Sequence, residues 1–335
     1  MKNNLYMLAL LLCGSLFLSG CDSAEKGSAQ FSKVEEEKAT VQAPAFNADS
    51  AYALVAKQVA FGPRVPNTAA HYATGEWIVA KLKEYGAEVK EQKFQMEAYN
   101  GTTLNLRNVI ASFNPGAANR VLLAAHWDTR PLADKDEDDP DTPIAGANDG
   151  ASGVGVLLEI ARTLHGAQQK PDIGVDMIFF DGEDYGQPDN SGLPYKDNTW
   201  CLGSQYWSKN KHVPDYRANF GVLVDMVGAE NARFAREGHS MQFARQIVNK
   251  VWKAGNNIGY SDYFKYVNAP AIIDDHYYVN KFGNIRMIDI IEYNMNNPDD
   301  YFGPYHHRHT DNMDVISKNT LKAVGQTLLH VIYNE

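Results

Sequence analysis

Val121-Leu122-Leu123-Ala124-Ala125-His126-Trp127-Asp128 is the stretch that decides how the chain is read. Five consecutive apolar residues match a strand buried on both faces, the pattern of a parallel sheet. A His and an Asp follow at its carboxyl end, where open α/β sheets place their chemistry. Gly146-Ala147-Asn148-Asp149-Gly150 answers it further on, as a polar turn opening an apolar helix that starts near Ala151.

Working outward, residues 89–96 and 104–113 read as two strands joined at Asn100-Gly101, and 175–180, 220–226 and 285–291 as three more. Helices are expected after an N-cap at Ser50, over 68–85 with Gly86 as its stop, around Tyr206 and Trp207, over 241–252 and over 321–333. Strands alternate with helices through most of the chain. The expected class is α/β, with a mixed, mainly parallel central sheet flanked by helices. Residues 44–335 are expected to form a single catalytic domain.

The net charge of -10 argues against nucleic-acid binding through a basic face. Lys2, a charge-free and mostly apolar run over 5–18, and Leu18-Ser19-Gly20-Cys21 resemble the signal and lipobox of bacterial lipoproteins. The expectation is a signal peptide over 1–20, a lipid on Cys21 that holds the protein to a membrane, and a flexible tether over 21–43. The location would be the bacterial cell envelope, periplasmic or surface-facing. Cys13 would leave with the signal and Cys21 would carry lipid, so Cys201 is left without an intrachain partner. It reads as a half-buried thiol on a helix. Asp134, Asp136, Glu137, Asp138, Asp139 and Asp141 form an acidic loop. A calcium site there would need the EF-hand glycine and closing Glu, which the spacing lacks, so a solvated loop is expected.

His126, Asp149, Glu183, Asp184, Asp225 and His309 fall at strand ends and loops. An Asp alone in such a place caps the next helix, and a His alone is a hydrogen-bonded core residue. Six together are hard to explain by capping. Two histidines with carboxylates and no cysteine suit a borderline ion such as Zn²⁺ with an open position. The adjacent pair Glu183-Asp184 allows one carboxylate to hold metal while its neighbour moves a proton.

His126-Trp127-Asp128, Gly146 to Gly153, Phe180-Asp181-Gly182-Glu183-Asp184, Asp225-Met226-Val227-Gly228 and His309-Thr310 resemble, in order, the motifs of the zinc aminopeptidase superfamily. That superfamily includes the animal-type glutaminyl cyclases. Two-zinc aminopeptidases usually carry Ser-Asp-His where this chain has Asp274-Asp275-His276, and Asp-Asp-His resembles the cyclase branch. His126-Trp127-Asp128-Thr129-Arg130-Pro131 resembles the bacterial members of that branch. Two departures stand out. The second acid after Asp-Gly is Asp184 rather than Glu, and Arg308 stands where the family places Trp before its last histidine ligand. Trp200 or Trp207 is therefore expected to supply pocket wall, with ordinary core packing an equally good reading of Trp207.

The resemblance implies one Zn²⁺ per chain, held by Asp149, Asp184 and His309. It acts as a Lewis acid on the side-chain carbonyl of an N-terminal glutamine. Glu183 would carry the proton from the α-amine to departing ammonia, with Asp274 and Asp225 beside it, and the product would be N-terminal pyroglutamate on a peptide or protein. His126 and Asp128 would be outer partners or ligands of a second ion. The rival is a two-zinc aminopeptidase with His126 and Asp225 on the second ion, Asp149 bridging, and Glu183 activating water.

Overall fold

The computed structural model describes residues 40–297 and 301–335. In it, β1 (Glu88–Glu97), β2 (Thr103–Phe113), β3 (Arg120–His126), β4 (Gly174–Phe180), β5 (Phe220–Asp225) and β8 (Met287–Ile291) form one sheet in the order β1-β2-β4-β3-β5-β8. β3 lies between β4 and β5 and runs parallel to both, and β8 runs parallel to β5. β1 and β2 join as an antiparallel hairpin, and β2 pairs antiparallel with β4. The sheet is mixed and mainly parallel, three of its five pairings being parallel, as the alternation of elements implies. β6 (Phe234–Arg236) and β7 (Phe264–Asn268) make a separate two-stranded ribbon that the residue pattern does not signal.

Side-chain alternation along β3 builds both cores. Val121, Leu123 and Ala125 enter the larger one, with α1 (Ala48–Val59), α3 (Ala151–Gly166), α5 (Gly238–Asn257) and α7 (Lys318–Tyr333) on that face. Leu122 and Ala124 enter the smaller one, against Trp207 of α4 (Leu202–Lys209) and Val279 of α6 (Asp275–Gly283). Each of the Val and Leu side chains contributes roughly 1.5–3 kcal/mol when fully buried. Burial on both sides therefore explains why this strand reads as an unbroken apolar run. α2 (Ala69–Glu84) packs on β1 and β2. Its N-cap is Thr68, whose hydroxyl accepts the His71 N–H, and Gly86 follows its end with φ +76°.

The start of α1 differs from expectation. Asn47, not Ser50, is the N-cap, and its side chain accepts the Ser50 N–H. Ordered packing also begins before residue 44. The Val41 N–H donates to Asn334 Oδ1, and Asn334 Nδ2 donates back to the Val41 carbonyl. The signal segment, Cys21 and most of the expected tether lie outside the described residues. Among the described residues no helix is long and apolar enough to cross a membrane.

Candidate active site

Five chain segments deliver the polar residues to one end of the sheet. His126 closes β3, Glu183 and Asp184 follow β4, and Asp225 closes β5, so three parallel strands present their carboxyl ends together. Asp149 precedes α3, and Asp274 is the N-cap of α6, accepting the Asp275 N–H. Of these, Asp149, Glu183, Asp225 and Asp274 line a cavity of about 620 Å³, with Trp200, Ile272, Tyr277, Phe302, His306 and His307.

Outer residues fix the turns. Asp128 is buried, and its two carboxylate oxygens accept the N–H groups of Glu183 and Asp184, each at 3.1 Å. Asp311 does the same for Asn148 and Asp149 at 2.7 and 3.1 Å. Burial, with the charge of Asp149 beside it, pushes the Asp311 carboxyl up to about 8. The buried Arg64 guanidinium holds the carbonyls of Trp127, Ala145 and Gly146. Gly150 is required by space, since a Cβ there would stand 2.5 Å from His126 Nε2.

Two candidate cation positions share Asp149. On one side, His126 Nε2 lies 3.0 Å from Asp149 Oδ1 and 3.1 Å from Asp225 Oδ1. On the other, His307 Nε2 stands 3.4 Å from Asp184 Oδ1 and 3.8 Å from Asp149 Oδ2. Both Asp184 oxygens are buried without a hydrogen-bond partner among the described residues. A buried carboxylate in that condition costs several kcal/mol unless a cation or proton meets it. Two carboxylates and an imidazole around it are a donor set that fits Zn²⁺. His306 adds a nitrogen to the group formed with Asp149 and His307, but its Nδ1 meets Lys135 Nζ at 2.7 Å and its ring stacks on His307 with centroids 3.7 Å apart. We assign it to the wall.

His309 is therefore not where the motif order puts it. Its Nε2 lies 3.0 Å from the Asp139 carbonyl oxygen and 3.1 Å from the Thr142 hydroxyl, in the acidic loop and away from Asp149 and Asp184. His307 takes the expected place. Trp207 also departs from expectation. It is fully buried, tilted edge-on to Phe180 and Tyr216, with its indole N–H on His212 Nδ1, and it lines no pocket. Trp200 does line the cavity, with Gly186 beneath its ring so closely that a Cβ there would sit 1.9 Å from it.

Glu183, Asp274 and Asp225 are three further carboxylates on the cavity floor. Burial pushes the Glu183 carboxyl well above the usual carboxylate range; His126 opposes the rise, while Asp274, Asp184 and Asp275 add to it. Burial likewise pushes Asp225 up to about 7 against the opposing His126. Cys201 is fully buried at the N-cap of α4, not half-buried along it. Burial pushes its thiol well up, so it stays protonated and donates to Glu183 Oε1 at 3.2 Å. Cys201, Asp311 and Asp134, which faces His307 Nδ1 at 3.2 Å, are site residues that the motifs do not single out.

Three comparisons bear on this geometry. The chain superposes on the glutaminyl cyclase of Bacteroides thetaiotaomicron bound to N-acetylhistamine with TM-score 0.84 and 53% identity, over 88% of this chain and 100% of that one. A Zn-dependent exopeptidase from Parabacteroides distasonis gives TM-score 0.85 and 52% identity over the same shares. The glutaminyl-peptide cyclotransferase of Drosophila melanogaster is 29% identical over 182 residues, 51% of this chain and 46% of that protein. The chain thus spans less than half the length of that curated relative. Residues 108–332, which hold every group placed around the cavity floor, match the profile of peptidase family M28, and the chain belongs to that family.

Proposed function

We propose that the protein is a zinc-dependent glutaminyl-peptide cyclotransferase, converting the N-terminal glutamine of peptides or proteins to pyroglutamate with release of ammonia. The observation that carries this reading over the aminopeptidase is the likeness to solved bacterial glutaminyl cyclases at about half identity over nearly the whole of both chains. His126 Nε2 meets Asp149 and Asp225 at 3.0 and 3.1 Å, and the proposal takes these as hydrogen bonds rather than ligation of a second ion. The Asp184 position is the one with unmet oxygens. Asp274 in place of the aminopeptidase Ser supports the same choice.

Asp149, Asp184 and His307 would hold one zinc per chain, which when bound supplies a Lewis acid for the side-chain carbonyl of the substrate. The α-amine nitrogen attacks that carbonyl carbon, the bond to the amide nitrogen breaks, and ammonia leaves. Glu183 takes the proton from the amine and delivers it to the leaving nitrogen. Its raised affinity for protons suits that exchange near neutral pH. Asp128 fixes its backbone and Cys201 one carboxylate oxygen, leaving the other for the substrate. Asp274 and Asp225 lie beside it on the cavity floor. Trp200, Ile272 and Phe302 line the cavity and restrict water, so that the two ends of one glutamine meet in ring geometry.

The N-terminal pattern supports a lipid on Cys21 and a place in the bacterial cell envelope. Metabolic labelling with a radioactive fatty acid, lost in Cys21→Ser, tests that part. Turnover is tested by offering the purified protein a Gln-initiated and a Leu-initiated peptide. Stoichiometric ammonia from the first and no free amino acid from the second is expected; release of leucine would sink the proposal.

A further inference from the structure

The acidic loop reads as solvated in the sequence, yet its first carboxylate reaches the metal position. Asp134 Oδ1 lies 3.2 Å from His307 Nδ1, the ring nitrogen that faces away from Asp184. Arg130 holds the same carboxylate with two bonds, Nε to Oδ1 at 2.5 Å and a terminal nitrogen to Oδ2 at 2.9 Å. The other terminal nitrogen of Arg130 donates to the carbonyls of Asp184 and Gly186 at 3.0 and 3.3 Å. Its guanidinium also stacks over Trp200 at 4.4 Å, and Trp200 lies parallel to His307. One arginine–aspartate pair therefore touches the backbone of one assigned ligand, the far nitrogen of another and the cavity wall.

The rest of the loop is anchored to the same segment. The Lys135 N–H donates to the His307 carbonyl, Asp136 Oδ2 accepts the His309 N–H, and His309 Nε2 meets the Asp139 carbonyl. The Ala133 N–H closes the base of the loop on the Thr142 carbonyl.

We infer that Asp134 is a positioning residue for zinc: it accepts the Nδ1 proton of His307, fixes the tautomer that leaves Nε2 free for the metal, and is itself held by Arg130 against the Asp184 turn. This rests on the assignment of Asp149, Asp184 and His307 as ligands. An imidazole whose far nitrogen donates to a carboxylate is a better and better-aimed ligand, and loss of such a partner typically costs about 10–100-fold in metal affinity. The acids of the loop thus act by shape and orientation, and His309 belongs to the clamp.

The test is zinc affinity, measured on the full chain by competition with a chelating dye, together with the melting temperature of the metal-free protein. Asp134→Ala is expected to weaken zinc binding by about 10–100-fold. Asp134→Asn keeps a neutral acceptor oxygen and is expected to recover about half of that loss on a logarithmic scale. Metal-free stability should fall in both variants, through the loss of the charged partner of Arg130, and no further in Asp134→Asn than in Asp134→Ala. Zinc affinity within twofold of the parent in Asp134→Ala would overturn the inference. So would equal losses in both variants that track a falling melting temperature, since a loosened loop would then be the cause. His307→Ala separates the two readings: if it keeps zinc, the ligand assignment fails, whereas loss there with retention in Asp134→Ala removes only the role of Asp134.

Discussion

The two cation positions that share Asp149 differ in what already fills them. Around His126, one ring nitrogen sits within 3.1 Å of both Asp149 and Asp225, while the other is buried 3.6 Å from Asp128 Oδ1. Around Asp184, a buried carboxylate has no hydrogen-bond partner among the described residues, with His307 Nε2 at 3.4 Å and a terminal nitrogen of Arg130 at 3.6 Å. The same residue types at the same depth thus give one closed position and one that calls for a cation. On the proposed function, one metal and cyclisation follow from how these side chains are placed, since the ligand inventory alone fits either reaction.

The largest effect is expected at Glu183, which serves the open side without holding the ion. Glu183→Gln should lower kcat by about 10³-fold or more, within the range of positioned acid–base groups, while zinc content stays at one per chain. Normal turnover would remove Glu183 from proton transfer, and loss of zinc would move it into the ligand set. His307→Ala comes next. It should lose zinc and activity together, whereas His309→Ala should keep zinc and stay within about tenfold of parental kcat/KM, being a step removed from the metal. The opposite ranking would restore the motif-based assignment of His309.

Asp225→Asn then probes the closed position directly. Metal analysis should give one zinc per chain before and after the change, with turnover reduced by about 10²-fold through the weakened proton relay. Two zinc equivalents in the parent and one in the variant would mark the His126 position as a true metal site and favour the aminopeptidase.

Why was one histidine misplaced when the rest of the floor was legible? His126, Asp149, Glu183, Asp184 and Asp225 lie at strand ends or helix starts, where hydrophobic pattern fixes both register and direction. His307 lies in a stretch without regular structure, with His306 and His309 close by in sequence. Which ring turns inward there depends on a tight path, in which His307 takes φ +57°, and periodicity carries no information about it. Trp207 was misread for a related reason. It faces the smaller core because α4 rolls that side toward Phe180, and a short eight-residue helix gives little periodicity from which to read its orientation. β6 and β7 are only three and five residues long, and β7 is mostly exposed. Asp134 and Asp311 act through other residues, so no ligand spacing points to them.

The smallest effect sharpens the comparison through pH and needs no substitution. Asp225 is pushed up to about 7 and Asp311 to about 8, both first by burial, and Glu183 is pushed up in the same way. An acid whose folded-state pKa is raised holds more protons folded than unfolded, so stability falls as pH rises through the folded value. His126 is also shifted upward: burial disfavours its charge, but Asp225, Asp128 and Asp149 outweigh that, and its contribution too is lost as pH rises. His306, driven neutral by burial, works the other way near its unfolded pKa, so the comparison belongs above that range. Between about pH 7 and about pH 9 the chelator-treated protein should lose on the order of 5 °C in melting temperature. Zinc-loaded protein should lose less, because the cation supplies the charge that the ionised floor lacks. A metal-free melting temperature that holds steady or rises over this interval would mean that the carboxylates are already balanced within the protein. The contrast between a closed and an open position would then fail at its electrostatic root.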